Sequence, residues 1–190
     1  MQLKIYSISH PIIQILSNIT TTEKKNPIIS YCHYKNLGLL LMYEILRKYV
    51  KVQTIYIKLL YSTKQLKLTD YNDRYLVITD LSNNYEIISN VKTLIPNIEI
   101  VNISYINTID KKNLTKHREA INEHTQIFIL EEQLENIKII DLITYLTSTQ
   151  KIPIDNINLV CVKSKQTILK QIGNIYPNVK VYTTQILYNK

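Results

Sequence analysis

From Tyr75 onward the chain alternates between two kinds of segment, and that alternation narrows the fold more than any other feature. Short apolar runs rich in β-branched residues are "YLVI" (75–78), "IEIVNI" (98–103), "QIFIL" (126–130), "INLVCV" (157–162) and "VKVYT" (179–183). Between them lie the helix-compatible segments "YEIISNVKTL", "ENIKIIDLITYL" and "KQTILKQIGN". Buried strands taking turns with helices build βαβ units, so the expected class is α/β, a mostly parallel sheet flanked by helices. Ligands of such sheets bind beyond the carboxyl ends of the strands. The turns of interest are therefore "TDLSNNY" (79–85), "EEQLEN" (131–136) and "VKSKQ" (162–166).

Upstream of Tyr75 the texture differs. Residues 32–49 place Leu37, Leu40, Leu41, Glu44, Ile45 and Lys48 at helical spacing, with the apolar set on one side. Residues 50–60 alternate Ile55, Ile57 and Leu59 against Tyr56 and Lys58, as a strand does. The polar span 105–125 has no clean period and reads as a flap or arm. With no repeat or linker in view, the expectation is one domain over 1–190, with an N-terminal helical region (1–74) and a Rossmann-like core (75–190).

The totals exclude several classes. A chain of 190 residues, 45% hydrophobic and 20% charged, has enough apolar chain for a core. No apolar run approaches the roughly 20 residues of a membrane span, and no membrane partner is expected. "MQLKIYSISHP" has neither the charged and apolar regions of a signal peptide nor an Arg/Ser-rich import pattern. Cys32 and Cys161 form no disulfide framework or metal pattern. Cys161, inside "NLVCV", reads as a buried inert thiol. His10 reads as structural, at a subunit contact. His117 and His124 are spaced wrongly for a metal pair on one helix face, so no metal site is expected. The net charge of +8 invites a nucleic-acid reading. The lysines are scattered, however, and Ile, Asn, Lys and Tyr are all spelled with A/T-rich codons. Mutation bias accounts for the charge and points to an AT-rich genome such as an organelle's.

Several stretches resemble the uracil phosphoribosyltransferase family. "HPIIQ" (10–14) is similar to its H-P-L-[IV] opening, and "GLLLMYE" (38–44) to its G-x-L-L-x-Y-E helix. "IPNIEIVNIS" (95–104) stands at its I-P-x-A-x-I strand entry. "LVCVKSKQTILKQIGNIYPNVKVYTTQI" (159–186) follows its strand, A-P-E-G turn, helix and H-P-x-V-x-[IL]-Y-T-A-x-I-D segment. The resemblance runs along almost the whole chain. It implies a type I phosphoribosyltransferase-like fold, a homodimer, and transfer of phosphoribose from phosphoribosyl pyrophosphate to uracil with Mg²⁺.

The ligand loops depart from the family pattern. Its R-A-G-L-G pyrophosphate loop is matched by Ser82, Asn83, Asn84, Tyr85 and Glu86, without the cation or the glycines. Its D-P-M-L-A-T-G-G-S loop keeps the strand and two acids, Glu131 and Glu132, which match the ribose contacts. Gln133 to Lys138 then follow, one residue short, with no Gly and no hydroxyl. The expectation is that Glu131, Glu132 and Glu135 sit in or before the first helical turn and fill the phosphate niche. The family's R-D-K stretch is matched by Thr21, Thr22 and Glu23. Its uracil-reading G-D-A-G-D loop has no counterpart before Lys190. Lys163 and Lys165 read as a solvated cap after a strand.

The resemblance and these departures lead to one expectation with two alternatives. The chain is a degenerate homologue that has lost its phosphate- and uracil-binding motifs and is kept for regulation or for a protein partner. It needs no cofactor and works in the plastid stroma, or otherwise in the cytoplasm. Glu131 and Glu132 are vestigial ribose acids, and Ser82, Asn83 and Asn84 a vestigial pyrophosphate loop. One alternative is residual transferase activity, which would require Mg²⁺ and phosphoribosyl pyrophosphate. The other is an RNA-binding regulator, which a localised basic face would favour.

Overall fold

The computed structural model describes residues 3–22, 27–70, 73–95, 97–104 and 124–188. Its strands are β1 (Lys4–Ser7), β2 (Val52–Lys58), β3 (Thr63–Thr69), β4 (Arg74–Thr79), β5 (Ile98–Asn102), β6 (Thr125–Leu134), β7 (Ile157–Lys165) and β8 (Lys180–Leu187). The helices are α1 (Pro11–Thr22), α2 (Pro27–Leu46), α3 (Leu81–Ile88), α4 (Lys138–Ser148) and α5 (Gln166–Ile175). Six strands form one sheet in the order β1-β8-β7-β6-β4-β5, and every pairing in it is parallel. The expected sheet flanked by helices is the observed one. All five apolar runs from Tyr75 onward become its strands.

Strand periodicity divides the core into two layers. Leu76, Ile78, Ile127, Ile129, Leu159 and Val181 pack on one face with Ile139, Leu142 and Ile143 of α4 and Leu169 and Ile172 of α5. Tyr75, Val77, Phe128, Leu130 and Val160 pack on the other with Ile13 of α1, Leu37, Leu41 and Ile45 of α2, and Ile87 and Ile88 of α3. Strands covered on both faces read as near-continuous apolar runs, which is why they were legible. Helix α2 begins earlier than its apolar period suggests. Its first residues, Ile28 and Ile29, are exposed and carry no core signal.

Three features differ from expectation. The edge strand β1 lies in the N-terminal segment yet pairs with β8 from Lys4↔Lys180 to Ser7↔Thr183, so the parallel sheet is not confined to 75–190. Its four residues are all exposed, and a short edge strand leaves no buried alternation to read. Strand β2 forms where expected, but as half of an antiparallel hairpin with β3 that stands outside the main sheet. Third, β6 and β7 run past the points where turns were expected. The span 105–123, most of the expected flap with His117, lies outside the described residues, as does Glu23. No described helix is long and apolar enough to cross a membrane.

Both glycines of the chain serve packing. A Cβ on Gly38 would lie 2.0 Å from the Ile87 carbonyl oxygen, so α2 and α3 touch backbone to backbone there. A Cβ on Gly173 would meet the Leu3 Cβ at 3.2 Å, where α5 passes the N-terminal segment.

Candidate functional site

Strand order fixes where a ligand crevice would open. After β4 the chain moves outward through α3 to β5, then returns to place β6 on the other side of β4. Helices α3 and α4 consequently lie on opposite faces of the sheet. Such a reversal splays the chain apart beyond the strand ends and creates the crevice characteristic of open α/β sheets. Asp80 and Asn84 follow β4 here, and Glu131 and Glu132 lie on β6.

The residues of that crevice are bound to one another. Asn84, on α3 and only 1% exposed, donates from Nδ2 to Glu131 Oε2 at 2.8 Å. Its Oδ1 accepts from the Glu132 backbone N–H at 2.8 Å. One amide side chain thus bridges the reversal, using both its donor and its acceptor. The Tyr34 hydroxyl on α2 donates to Glu132 Oε1 at 2.9 Å and lies 3.2 Å from the Thr20 carbonyl. Burial, followed by the bond and charge of Glu132, raises the Tyr34 pKa well above its ordinary value, so this phenol stays a donor. Asp80 closes the start of α3: Oδ1 accepts from the Ser82 N–H at 3.0 Å and Oδ2 from Asn83 Nδ2 at 2.9 Å. Thr79 Oγ1, fully buried at the end of β4, has no hydrogen-bond partner among the described residues.

The structure brings Asn84, Glu131 and Glu132 together and corrects how each was read. Ser82, Asn83 and Asn84 are not a loop; they are the first turn of α3, capped by Asp80. Asn84 departs from helical geometry (φ −116°, ψ 15°) but does not enter the left-handed region. Glu131 and Glu132 belong to β6, which continues to Leu134, and α4 begins only at Lys138. Asp141 is the acid of its first turn, so the glutamates do not occupy that helix N-terminus. Instead, Asn136 Oδ1 accepts from the Lys138 N–H at 3.0 Å. Glu135 forms an ion pair with Lys165, an exposed side chain on the residue that both ends β7 and caps the start of α5. Lys163 also lies on β7, paired with Gln133 of β6 and Gln185 of β8. The pleat keeps β6 and β7 extended in register as far as Leu134↔Ser164, and an isolated reading of apolar runs stops at the first charge.

Tyr34, Asp80 and Thr79 were missed. Asp80 followed by "LSNNY" is a helix N-cap signal that could have been found. Tyr34, 98 residues from Glu132, carries no local signal.

The starts of α3 and α4 are already engaged by side chains of the protein. A 5′-phosphate or diphosphate cradle needs backbone N–H groups free to converge, commonly on glycine. Here Asp80 consumes the start of α3, Asn136 that of α4, and neither glycine lies at a strand end. Among the described residues only Lys151 has positive φ (57°), and it follows α4 away from this crevice. Among them, no group of three or more His, Cys, Asp or Glu is disposed to hold a metal ion. His10 is exposed beside β1, and Cys161 is buried with its thiol pushed up to about 12 by burial.

No protein-family model matches the chain. It is 25% identical over 189 residues to a uracil phosphoribosyltransferase homolog of Pyropia yezoensis, covering 100% of this chain and 91% of the relative. It is 23% identical over 189 residues to a uracil phosphoribosyltransferase of Synechocystis, covering 97% and 88%. Among solved structures, the AQ2163 protein from Aquifex aeolicus superposes with a TM-score of 0.74 at 14% identity, covering 97% of this chain and 88% of that one. Red-algal and cyanobacterial relatives are consistent with a plastid origin. Along its full length the chain is therefore similar to uracil phosphoribosyltransferase homologs and to a uracil phosphoribosyltransferase, and its mostly parallel sheet flanked by helices is shared with the Aquifex aeolicus protein.

Proposed function

We propose that this homologue no longer transfers phosphoribose and that it serves as a regulatory or interaction protein, a homodimer in the plastid stroma. The observation carrying this reading is the Asn84 bridge. It occupies the crevice at the strand reversal and engages both the Glu131 carboxylate and the Glu132 backbone. A phosphate there would have to displace it and approach two carboxylates, Glu131 and Glu132. At about 4 Å and an effective dielectric near 20, each unit like-charge pair costs on the order of 4 kcal/mol. Transfer chemistry at an oxocarbenium-like carbon relies on oriented donors and cations, and the described donors of this crevice, Asn84 Nδ2 and the Tyr34 hydroxyl, are spent on its own carboxylates. The stromal placement rests on the AT-rich-type composition and on where the relatives come from.

The test is a thermal-shift titration with phosphoribosyl pyrophosphate and Mg²⁺. A ligand that binds only the folded chain stabilises it by about 2.7 kcal/mol at a hundredfold excess over Kd. No saturable shift is expected at millimolar ligand. A shift at sub-millimolar concentration, followed by UMP formation from uracil, would overturn the reading.

A further inference from the structure

Strand β1 forms one edge of the main sheet, and Lys4, Ile5, Tyr6 and Ser7 are all exposed there. Its inner side pairs with β8. The Ile8 N–H bonds to the Thr183 carbonyl at 2.9 Å, so the backbone groups of Ser7, in register with Thr183, turn the other way. By the strand period, those of Ile5 turn outward as well. An open edge of this kind is a template for one more strand.

Two cavities flank the same strand, one on each face of the sheet. On the α5 face, Leu3, Ile5, Leu169, Gly173, Ile186 and Tyr188 help to line a groove of about 360 Å³, which is mainly apolar. On the α2 face, Tyr6, Ser9, His10, Lys48 and Tyr182 help to line a cavity of about 560 Å³. This second cavity carries a positioned cation. Lys48 Nζ lies 4.6 Å from the ring centre of Tyr6 and 5.0 Å from that of Tyr182, and the two rings stack. The carboxylate of the cavity, Glu44, is paired with Arg47 at 2.9 Å. Lys4 shares the strand face of Tyr6, so this side of the edge is basic.

We propose that β1 accepts an extended segment of a partner protein as an added strand, and that this segment alternates apolar with acidic side chains. Main-chain bonds to Ile5 and Ser7 hold it, and the two cavities select its side chains. The apolar residues enter the groove beside α5, and the carboxylates meet Lys48 and Lys4. Alternation is required because successive side chains of a strand face opposite sides of a sheet. Charge disfavours a second copy as the occupant, since the chain carries +8 and its own β1 would bring another Lys4 to the same edge. Strand addition shares no residue with the crevice and stands whether or not transfer chemistry is retained.

The test is fluorescence anisotropy of a labelled peptide of alternating valine and glutamate, titrated with the full chain. Saturable binding is expected. A peptide of the same composition, with valines and glutamates in separate blocks, should bind about tenfold more weakly. In an added strand every second N–H faces β1. Methylating the valine amides alone and the glutamate amides alone should therefore differ, one abolishing binding and the other leaving it. Lys48→Glu should weaken binding about tenfold. Ser7→Pro should do so too, because it removes an outward donor and spares the bonds to β8. Absence of binding, equal binding of the block peptide, equal effects of the two methylation patterns, or undiminished binding by Lys48→Glu each overturns the proposal, whether or not the Ser7→Pro chain folds. Conversion of a dimer to a monomer by Ser7→Pro in analytical ultracentrifugation would show that a second copy holds the edge, and this also overturns it.

Discussion

Asn84 places the largest demand on a single side chain. It is buried and bonded to a carboxylate and to a backbone N–H on the neighbouring strand. Replacing it with Ala removes a hydrogen bond from the buried Glu131 carboxylate and takes the acceptor away from the Glu132 N–H. Asn84→Ala is expected to cost about 3 kcal/mol in urea unfolding at neutral pH. Asn84→Asp sets a second carboxylate beside Glu131, so its deficit should shrink as the pH falls and one of the pair is protonated. Cys161 makes the opposite kind of prediction. Burial raises its thiol from about 9 to about 12, so the folded chain holds a proton that the unfolded chain releases. The resulting stabilisation is complete below the unfolded value and is lost as pH rises toward the folded one. Cys161→Ala should flatten the alkaline fall in stability by about 1.4 kcal/mol per pH unit. With a thiol reagent, native protein should react at exposed Cys32 alone.

At the level of elements, α2 and α3 meet at Gly38. Gly to Ala in a helix ordinarily gains about 1 kcal/mol. Here the added carbon would meet the Ile87 carbonyl at 2.0 Å, so the sign reverses. Gly38→Ala is expected to destabilise by about 3 kcal/mol, measurable as a shifted urea midpoint. Elements also show what a sequence reading captures. The inner strands were legible because burial on both faces leaves a run such as "IFIL" with no polar interruption. Their ends were not, because Glu131 and Lys163 look like turn residues although their backbones remain in the ladder. Strand β3 escaped because "TKQLKLT" buries no residue and so shows no preferred face. At the candidate site, the acids and asparagines were visible. The bridge between them was not, since it joins positions 47 and 48 residues apart through a strand reversal that no local pattern encodes.

For the whole molecule, stability is concentrated in the sheet. Strands β4, β6 and β7 are covered on both faces, and the β2–β3 hairpin is exposed along almost its whole length. Amides of those inner strands should exchange with solvent only through global unfolding, while β2–β3 amides exchange through cheap local opening. Hydrogen-exchange mass spectrometry would show the two classes, and uniform protection would contradict the division. The glycines extend the same contrast to the helices. Gly38 and Gly173 stand where a β-carbon would press on Ile87 and on Leu3. How closely α2 meets α3, and α5 the N-terminal segment, is therefore set by two side chains the molecule does without.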